Sequence, residues 1–504
     1  MNVKPFILNL TVFVCGALVM VYEIIGSRIV SPFIGASTYV WTSLIGVILG
    51  ALSLGYWFGG RMADRDPHVR VLASAVFIAG GLVSLTILLK DVVLASIANA
   101  GFGLELKATL AAILLFAPAS VALGFVTPYA VRLSMSSVDE SGRTVGRLYA
   151  LSTVGSIVGT FAAGFFLLPI VGSVRTLYII TAALIGLSVL LAPFAFTRLN
   201  FGILTLFVLS IAANEFSSNM LFRSSALHDI DTEYSRVQVF ETTDPKNGRR
   251  FQAMATDPYF VQSAMYLDSD ELVFRYNHFY HLLRYFRPDF QHTLMIGGAG
   301  YTFPREYLRT YPNATIDVAE IDPKMTEIAR RFYRLKDDPR LKIFHEDGRT
   351  FLNKTAGGKY DVILMDAFGS LFSVPYQLTT VEAVRQFHRS LDENGIVIFN
   401  LGSAIRGEGS KFLQAEFKTY QEVFGNVLLF KVNLDYTDDH LQNLMIVACK
   451  TVCEDAGSSP DAEIAELLTH RYRSEFPLTL PVLTDDLAPV EYYNSFAQNL
   501  YRHR

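Results

Sequence analysis

Charge is scarce in the first 215 residues of this 504-residue chain, and that scarcity divides it. Hydrophobic residues make up 51% of the sequence and charged residues 18%, with the charge concentrated after residue 215. Cysteine is scarcer still, with Cys15, Cys449 and Cys453 the whole complement. Three cysteines cannot build a disulfide framework. Cys449 and Cys453 also have no Cys or His at metal-binding spacing, which argues against zinc and predicts no metal. No basic run occurs and the net charge is -4, so nucleic acid is not an expected partner. A cleaved signal peptide is missing too: the first apolar run is too long and no small-residue cleavage site follows.

What is present up to residue 215 is a series of apolar stretches near 6–27, 38–60, 71–89, 108–131, 147–171, 176–196 and 199–214. The first six are long enough to cross a hydrocarbon core of about 30 Å, and lipids are then partners of this half. Arg61, Arg65 and Arg70 cluster after the second stretch, and Arg132, Arg143 and Arg147 after the fourth. The positive-inside bias puts these loops and the N-terminus in the cytoplasm, across a cell inner membrane. Seven crossings from a cytoplasmic start would leave the C-terminal half outside, where adenosine-type cofactors are not supplied. Either 199–214 does not cross and lies at the interface, or one crossing is miscounted, or that half is external; the first is expected, with the soluble half cytoplasmic. Glu23, inside the first stretch, is either functional or paired with Arg28 or another span's arginine. Gly46, Gly50, Gly55, Gly59, Gly60, Gly155 and Gly159 read as close-packing positions between helices.

From Asp231 the period changes. TEYSRVQVFE and RRFQAMAT alternate around the turn DPKNG, a β-hairpin module, and an aromatic-rich helical segment follows. The expected domains are therefore 1–215, helical; 216–290, hairpin module and entry helix; and 291–504, a nucleoside-binding domain.

Thr293–Ile296 is a short buried strand, followed at once by Gly297, Gly298 and Gly300, then by Pro304 where a helix would begin. Thr315–Ala319 is a second strand, ending in Glu320, twenty positions after Gly300. This order is that of a nucleoside-binding unit, in which the glycines let backbone approach the ligand and the acid accepts from both ribose hydroxyls. Strands at 341–344, 360–365 and 395–401 complete a Rossmann-like doubly wound α/β sheet. Asp347, before Gly348, is placed to accept from an adenine amino group, and Asp366 stands at the strand-end crevice where chemistry occurs.

These residues carry a resemblance. Gln262 with Asp270-Glu271, Gly297–Tyr301, Glu320-Ile321-Asp322-Pro323, Asp347-Gly348 and YDVILMD at 360–366 resemble motifs of the spermidine synthase family of aminopropyltransferases. GGRMADRD at 59–66 resembles a loop of major-facilitator transporters, and LTDDLAPVE at 483–491 resembles a fingerprint of membrane-fused synthases. The resemblance implies S-adenosylmethionine or its decarboxylated form as substrate, displacement at sulfonium-bound carbon, and release of methylthioadenosine. It implies ligand contacts from Gln262, Gly297, Gly298, Gly300, Glu320, Ile321, Asp347 and Gly348, and a possible homodimer.

Two family acids are absent. Gly369 stands where the catalytic loop has its second aspartate, and Gly300 where the acid that anchors the donor's amino tail belongs. Asp366, Tyr301, Tyr376, Asp485 and Asp486 are the substitutes the sequence offers as proton acceptors. The loss predicts weak or absent transfer to putrescine. It leaves three readings: aminopropyl transfer to an amine, acceptor-independent cleavage of the sulfonium by a lyase, and a non-catalytic, nucleoside-sensing transporter.

Overall fold

The computed structural model describes residues 5–35, 37–135, 141–192, 198–220, 228–257, 260–367, 374–453 and 457–502. The chain divides into a helical unit, Met1–Arg223 with Asp229–Arg236, and a second unit, Ser224–His228 with Val237–Arg504.

In the helical unit, Pro5–Ile34, Thr38–Arg65, Val69–Ala98, Ser141–Val171 and Ser173–Leu191 are long and apolar enough to cross a membrane. The stretch expected as one span at 108–131 is instead a pair, Leu104–Leu115 and Ala117–Ser134, bent by 51°. Pro118 sits in the first turn after the break, where its missing N–H interrupts the ladder of hydrogen bonds. The seventh stretch forms the helix Arg198–Met220, whose apolar part, Asn200–Asn214, is shorter than the others. Glycines bring backbones together: a Cβ on Gly155 or Gly159 would lie 2.1 or 2.2 Å from the carbonyl oxygen of Phe13 or Ala17. Gly55 and Gly59 pack in the same way against Val121 and Phe125. A Cβ on Gly46, Gly50 or Gly60 would meet nothing within 4 Å, so these three do not have the packing role expected of them. Glu23 is buried, and Arg28 donates to the backbone carbonyl of Glu233.

The second unit opens with an antiparallel meander of β1 (Arg236–Thr243), β2 (Arg250–Ala255) and β3 (Ser263–Tyr266). The main sheet follows: β4 (His292–Ile296), β5 (Thr315–Ala319), β6 (Leu341–Phe344), β7 (Tyr360–Met365), β8 (Leu391–Ser403), β9 (Asn426–Lys431), β10 (Gln442–Cys449) and β11 (Arg471–Tyr472). Their spatial order is β11-β9-β10-β8-β7-β4-β5-β6. β6, β5, β4, β7 and β8 run parallel, while β10 pairs antiparallel with β8 and β9. The Rossmann-like expectation therefore holds for the parallel part, and an antiparallel extension makes the sheet mixed. β4, β7 and the part of β8 from Ile396 to Leu401 are almost wholly buried and mostly apolar, as central strands covered on both faces must be.

From β4 the chain winds outward through β5 and β6, then returns to β7 on the other side of β4. That reversal is a topological switch point, and the carboxyl ends of β4 and β7 frame a crevice there. One expectation about cysteine changes: no framework exists, yet Cys449, the last residue of β10, is bonded to Cys453 in the turn that follows. Cys15 is free and buried.

Candidate active site

The glycine turn after β4 is held shut by its neighbours. Gly297 has φ +90°, and a Cβ there would lie 2.4 Å from the Asp366 carbonyl oxygen. Only glycine lets the ends of β4 and β7 come this close. Ala299 and Tyr301 also have positive φ, at 44° and 54°, a conformation that non-glycine residues adopt only when surroundings enforce it. Glu320, at the end of β5, supplies the enforcement. Its Oε2 accepts from the amides of Gly298 (2.8 Å) and Ala299 (3.1 Å), and its Oε1 accepts from Asp322 (2.9 Å). Burial raises the Glu320 carboxyl and the three N–H donors hold it back. Three of its roughly four acceptor positions are thus used.

In front of the turn lies a cavity of about 570 Å³, lined among others by Gln262, Gly297, Gly298, Asp366, Asp257 and Asn400. Asp366 is its chemical centre. Asn400 Nδ2 donates to its Oδ1 at 2.9 Å, and the Tyr276 hydroxyl lies 3.4 Å from its Oδ2. Asn400 Oδ1 in turn accepts from Asn443 Nδ2 at 3.0 Å, which orients the amide. Burial pushes the Asp366 carboxyl up to about 6, against the hydrogen bonds of Asn400, Tyr280 and Tyr276. Such a group is mostly ionised at neutral pH and accepts a proton without a large penalty.

The other sequence-derived residues fall around this centre. Gly300 lies under the turn, its N–H bonded to Ser263 Oγ at 3.1 Å. A Cβ at Gly300 would sit 2.8 Å from the Ser263 Cβ, so the space an acid would need is filled. Ile321, beyond Glu320, is 38% exposed. Asp347 caps the helix Gly348–Lys354 through Thr350 N (3.0 Å), and Gln377 Nε2 approaches its other oxygen at 3.3 Å. Gly348 packs that helix on β4: a Cβ there would meet Ile296 at 2.6 Å.

The proposed phenolic bases do not sit at the centre. Tyr301 is fully buried with its hydroxyl bonded to Thr326 at 2.8 Å, and burial raises the phenol further. Tyr376 is 55% exposed, and neither tyrosine is among the described residues lining the cavity. Asp485 is engaged by Arg349 and Thr380 at 2.8 and 2.6 Å, and Asp486 is exposed. Phe368 and Gly369, the remainder of the loop that opens with Asp366, lie outside the described residues.

Sequence reasoning missed Asp257, Tyr276, Asn400 and Asn443. Asp257 is buried, accepts from Phe260 N at 2.9 Å, and gives the cavity a second carboxylate. Asn400 carried a signal, a lone amide inside the apolar run of β8.

Residues 274–432 match the spermine/spermidine synthase domain family. A polyamine aminopropyltransferase of Vibrio vulnificus is 28% identical over 214 residues, covering 42% of this chain and 69% of that one. Polyamine aminopropyltransferase 2 of Ralstonia nicotianae is 25% identical over 441 residues, 80% of each chain, and so runs through both halves. The crystal structure of a probable spermidine synthase from Corynebacterium glutamicum superposes with a TM-score of 0.41 at 21% identity, covering 48% of this chain and 86% of that one. Residues 274–432, in the C-terminal half, are thus similar to a spermine/spermidine synthase domain, behind an N-terminal half of helices long and apolar enough to cross a membrane.

Proposed function

We propose that the second unit is an aminopropyltransferase acting on decarboxylated S-adenosylmethionine. An amine's lone pair attacks the sulfonium-bound carbon of the aminopropyl chain, forming a C–N bond as the C–S bond breaks, and methylthioadenosine leaves. The attacking amine is an ammonium at neutral pH and must lose a proton to react. The observation that carries the reading is Asp366, a half-buried carboxylate pushed up to about 6 at the strand-end crevice. It takes that proton, while Tyr276 and Asn400 fix its two oxygens.

Asp257 pairs with a second ammonium, of donor or acceptor. Asp257, Asp366 and Asp435 give the cavity three acids despite Gly300 and Gly369, so transfer to putrescine is expected in place of the weak transfer read from the sequence. Glu320 keeps an acceptor position for the ribose, Gln262 and the glycine turn face the sulfonium, and Asp347 with Ile321 receives the adenine. The names of the relatives, polyamine aminopropyltransferases, support the same chemistry. In this reading 1–215 anchors the protein among membrane lipids, 216–290 shapes one wall of the site and 291–504 binds the nucleoside.

The test uses the purified full chain with decarboxylated S-adenosylmethionine, with and without putrescine. Methylthioadenosine and spermidine appearing together, only when amine is present, is the expected result. Methylthioadenosine without amine would make the protein a lyase, and binding with no methylthioadenosine in either arm would make it a sensor.

A further inference from the structure

The short segment Asp229–Arg236 belongs to the helical unit by its contacts and leads directly into the second unit at Val237. The helix ends that hold it can be identified. Ser173 N donates to Asp231 Oδ2 at 3.0 Å, and the Ser173 hydroxyl lies 3.4 Å from Oδ1. Gly172, with φ +88°, leaves room for that carboxylate, since a Cβ would lie 2.5 Å from it. Arg28 donates to the Glu233 carbonyl. Arg236, fixed on Asp229 by a bond of 2.8 Å from its Nε, interacts electrostatically with Asp91.

Ser173, Arg28 and Asp91 share one end of the bundle, the end with the turns after Ile34, Ala98 and Val171. The arginine-rich connections after Arg65 and Ser134 are at the other end, tied to each other by Arg132 with Asp64 at 3.4 Å and by Tyr129 with His68 N at 3.1 Å. Basic residues exist at the first end as well, but three are engaged: Arg28 on Glu233, Lys90 on Asp91 at 2.6 Å, and Lys107 on the Ala98 carbonyl at 3.1 Å. The positive-inside bias therefore assigns the end with Arg61, Arg65, Arg70, Arg132, Arg143 and Arg147 to the cytoplasm. The segment entering the synthase unit leaves from the opposite end.

A separate observation within the second unit points the same way. Cys449 and Cys453 are joined. Thiols in the cytoplasm are kept reduced, whereas disulfides persist on the oxidising side of a membrane.

We infer that the synthase unit lies on the non-cytoplasmic, oxidising side of the membrane, in line with seven crossings and reversing the expectation that the soluble half is cytoplasmic. Arg198–Met220 then crosses as a seventh span. The inference rests on the helices spanning a membrane and is independent of the proposed activity. A sulfonium carries a permanent charge and crosses lipid poorly, so the donor requires a carrier that delivers it to that side.

Spheroplasts expressing the full chain with Glu422→Cys or Glu393→Cys, two exposed positions of the synthase unit, are treated with a membrane-impermeant maleimide. Asp64→Cys, in the arginine-rich region, reports the other side. Both synthase-unit cysteines are expected to label in intact spheroplasts, and Asp64→Cys only after lysis. Cys449 and Cys453 are expected to resist alkylation until a reductant is added. The opposite labelling pattern, or free alkylation of Cys449 and Cys453 without reductant, overturns the inference. Extraction with alkaline carbonate runs alongside, and release of the chain would overturn the spanning on which it stands.

Discussion

Asn400 Nδ2 donates to Asp366 Oδ1 across 2.9 Å, from β8 to the end of β7, and the Asn400 carbonyl is itself held by Asn443 on β10. Three adjacent strands thus fix one carboxylate. Losing a hydrogen bond to a charged group costs about 1.5–3 kcal/mol, and 1.4 kcal/mol is about one pH unit. Asn400→Leu is therefore expected to raise the acidic limb of the pH–rate profile by about one unit, from about 6 to about 7, and so to lower the rate about twofold at pH 7 and about tenfold at pH 5. An unmoved limb would mean that the amide does not tune the aspartate.

The same carboxylate weakens the fold that holds it. A folded-state pKa raised from 3.8 to about 6 gives a contribution that is fully favourable below the unfolded value and lost as pH rises through 6. Holding Asp366 ionised at pH 8 then costs about 3 kcal/mol, for roughly two units at 1.36 kcal/mol each. Asp366→Asn is expected to raise the melting temperature of the full chain at pH 8 by several degrees and to change little at pH 4. Thermal melts at the two pH values decide this, and a variant less stable at pH 8 would refute it.

Glu320 clamps the Gly298 and Ala299 amides, and in the proposed function it also accepts from a ribose. Glu320→Gln retains one acceptor oxygen and loses the charge. Calorimetric affinity for methylthioadenosine should fall by about 1–3 kcal/mol, the range for a buried polar partner left unsatisfied. Unchanged affinity would remove the ribose assignment.

Gly297→Ala places a methyl 2.4 Å from the Asp366 carbonyl oxygen at φ +90°. Loss of about 1–3 kcal/mol of stability is expected from the backbone conformation alone, with activity falling further because the ends of β4 and β7 are pushed apart. A melting temperature equal to wild type would show that the turn has slack which the packing does not suggest.

Why some of this was legible in the sequence and some was not follows from where the residues come from. The turn at Gly297, the acid at Glu320 and the parallel strands lie within one continuous stretch with a fixed local order, so pattern reading places them. Asp257 comes from the loop after β2, Tyr276 from the segment before the main sheet, and Asn400 and Asn443 from two strands that pair only in the fold. No spacing in the sequence announces that these four face Asp366 or its cavity. Tyr301 adjoins the glycine turn in sequence, but its left-handed backbone turns the ring beneath Gly298 toward Thr326. The bond between Cys449 and Cys453 joins a strand end to its own turn, a pairing that counting cysteines for a framework overlooks.

The most direct measurement is the single-turnover rate of aminopropyl transfer against pH, for the wild type and for Asp366→Asn. If Asp366 removes the amine's proton, the wild-type rate rises with pH through a limb near 6. Asp366→Asn then loses that limb and falls by about 10²–10⁴-fold, the worth of a general base, while still binding methylthioadenosine. A variant that retains wild-type turnover and the same limb would contradict the account.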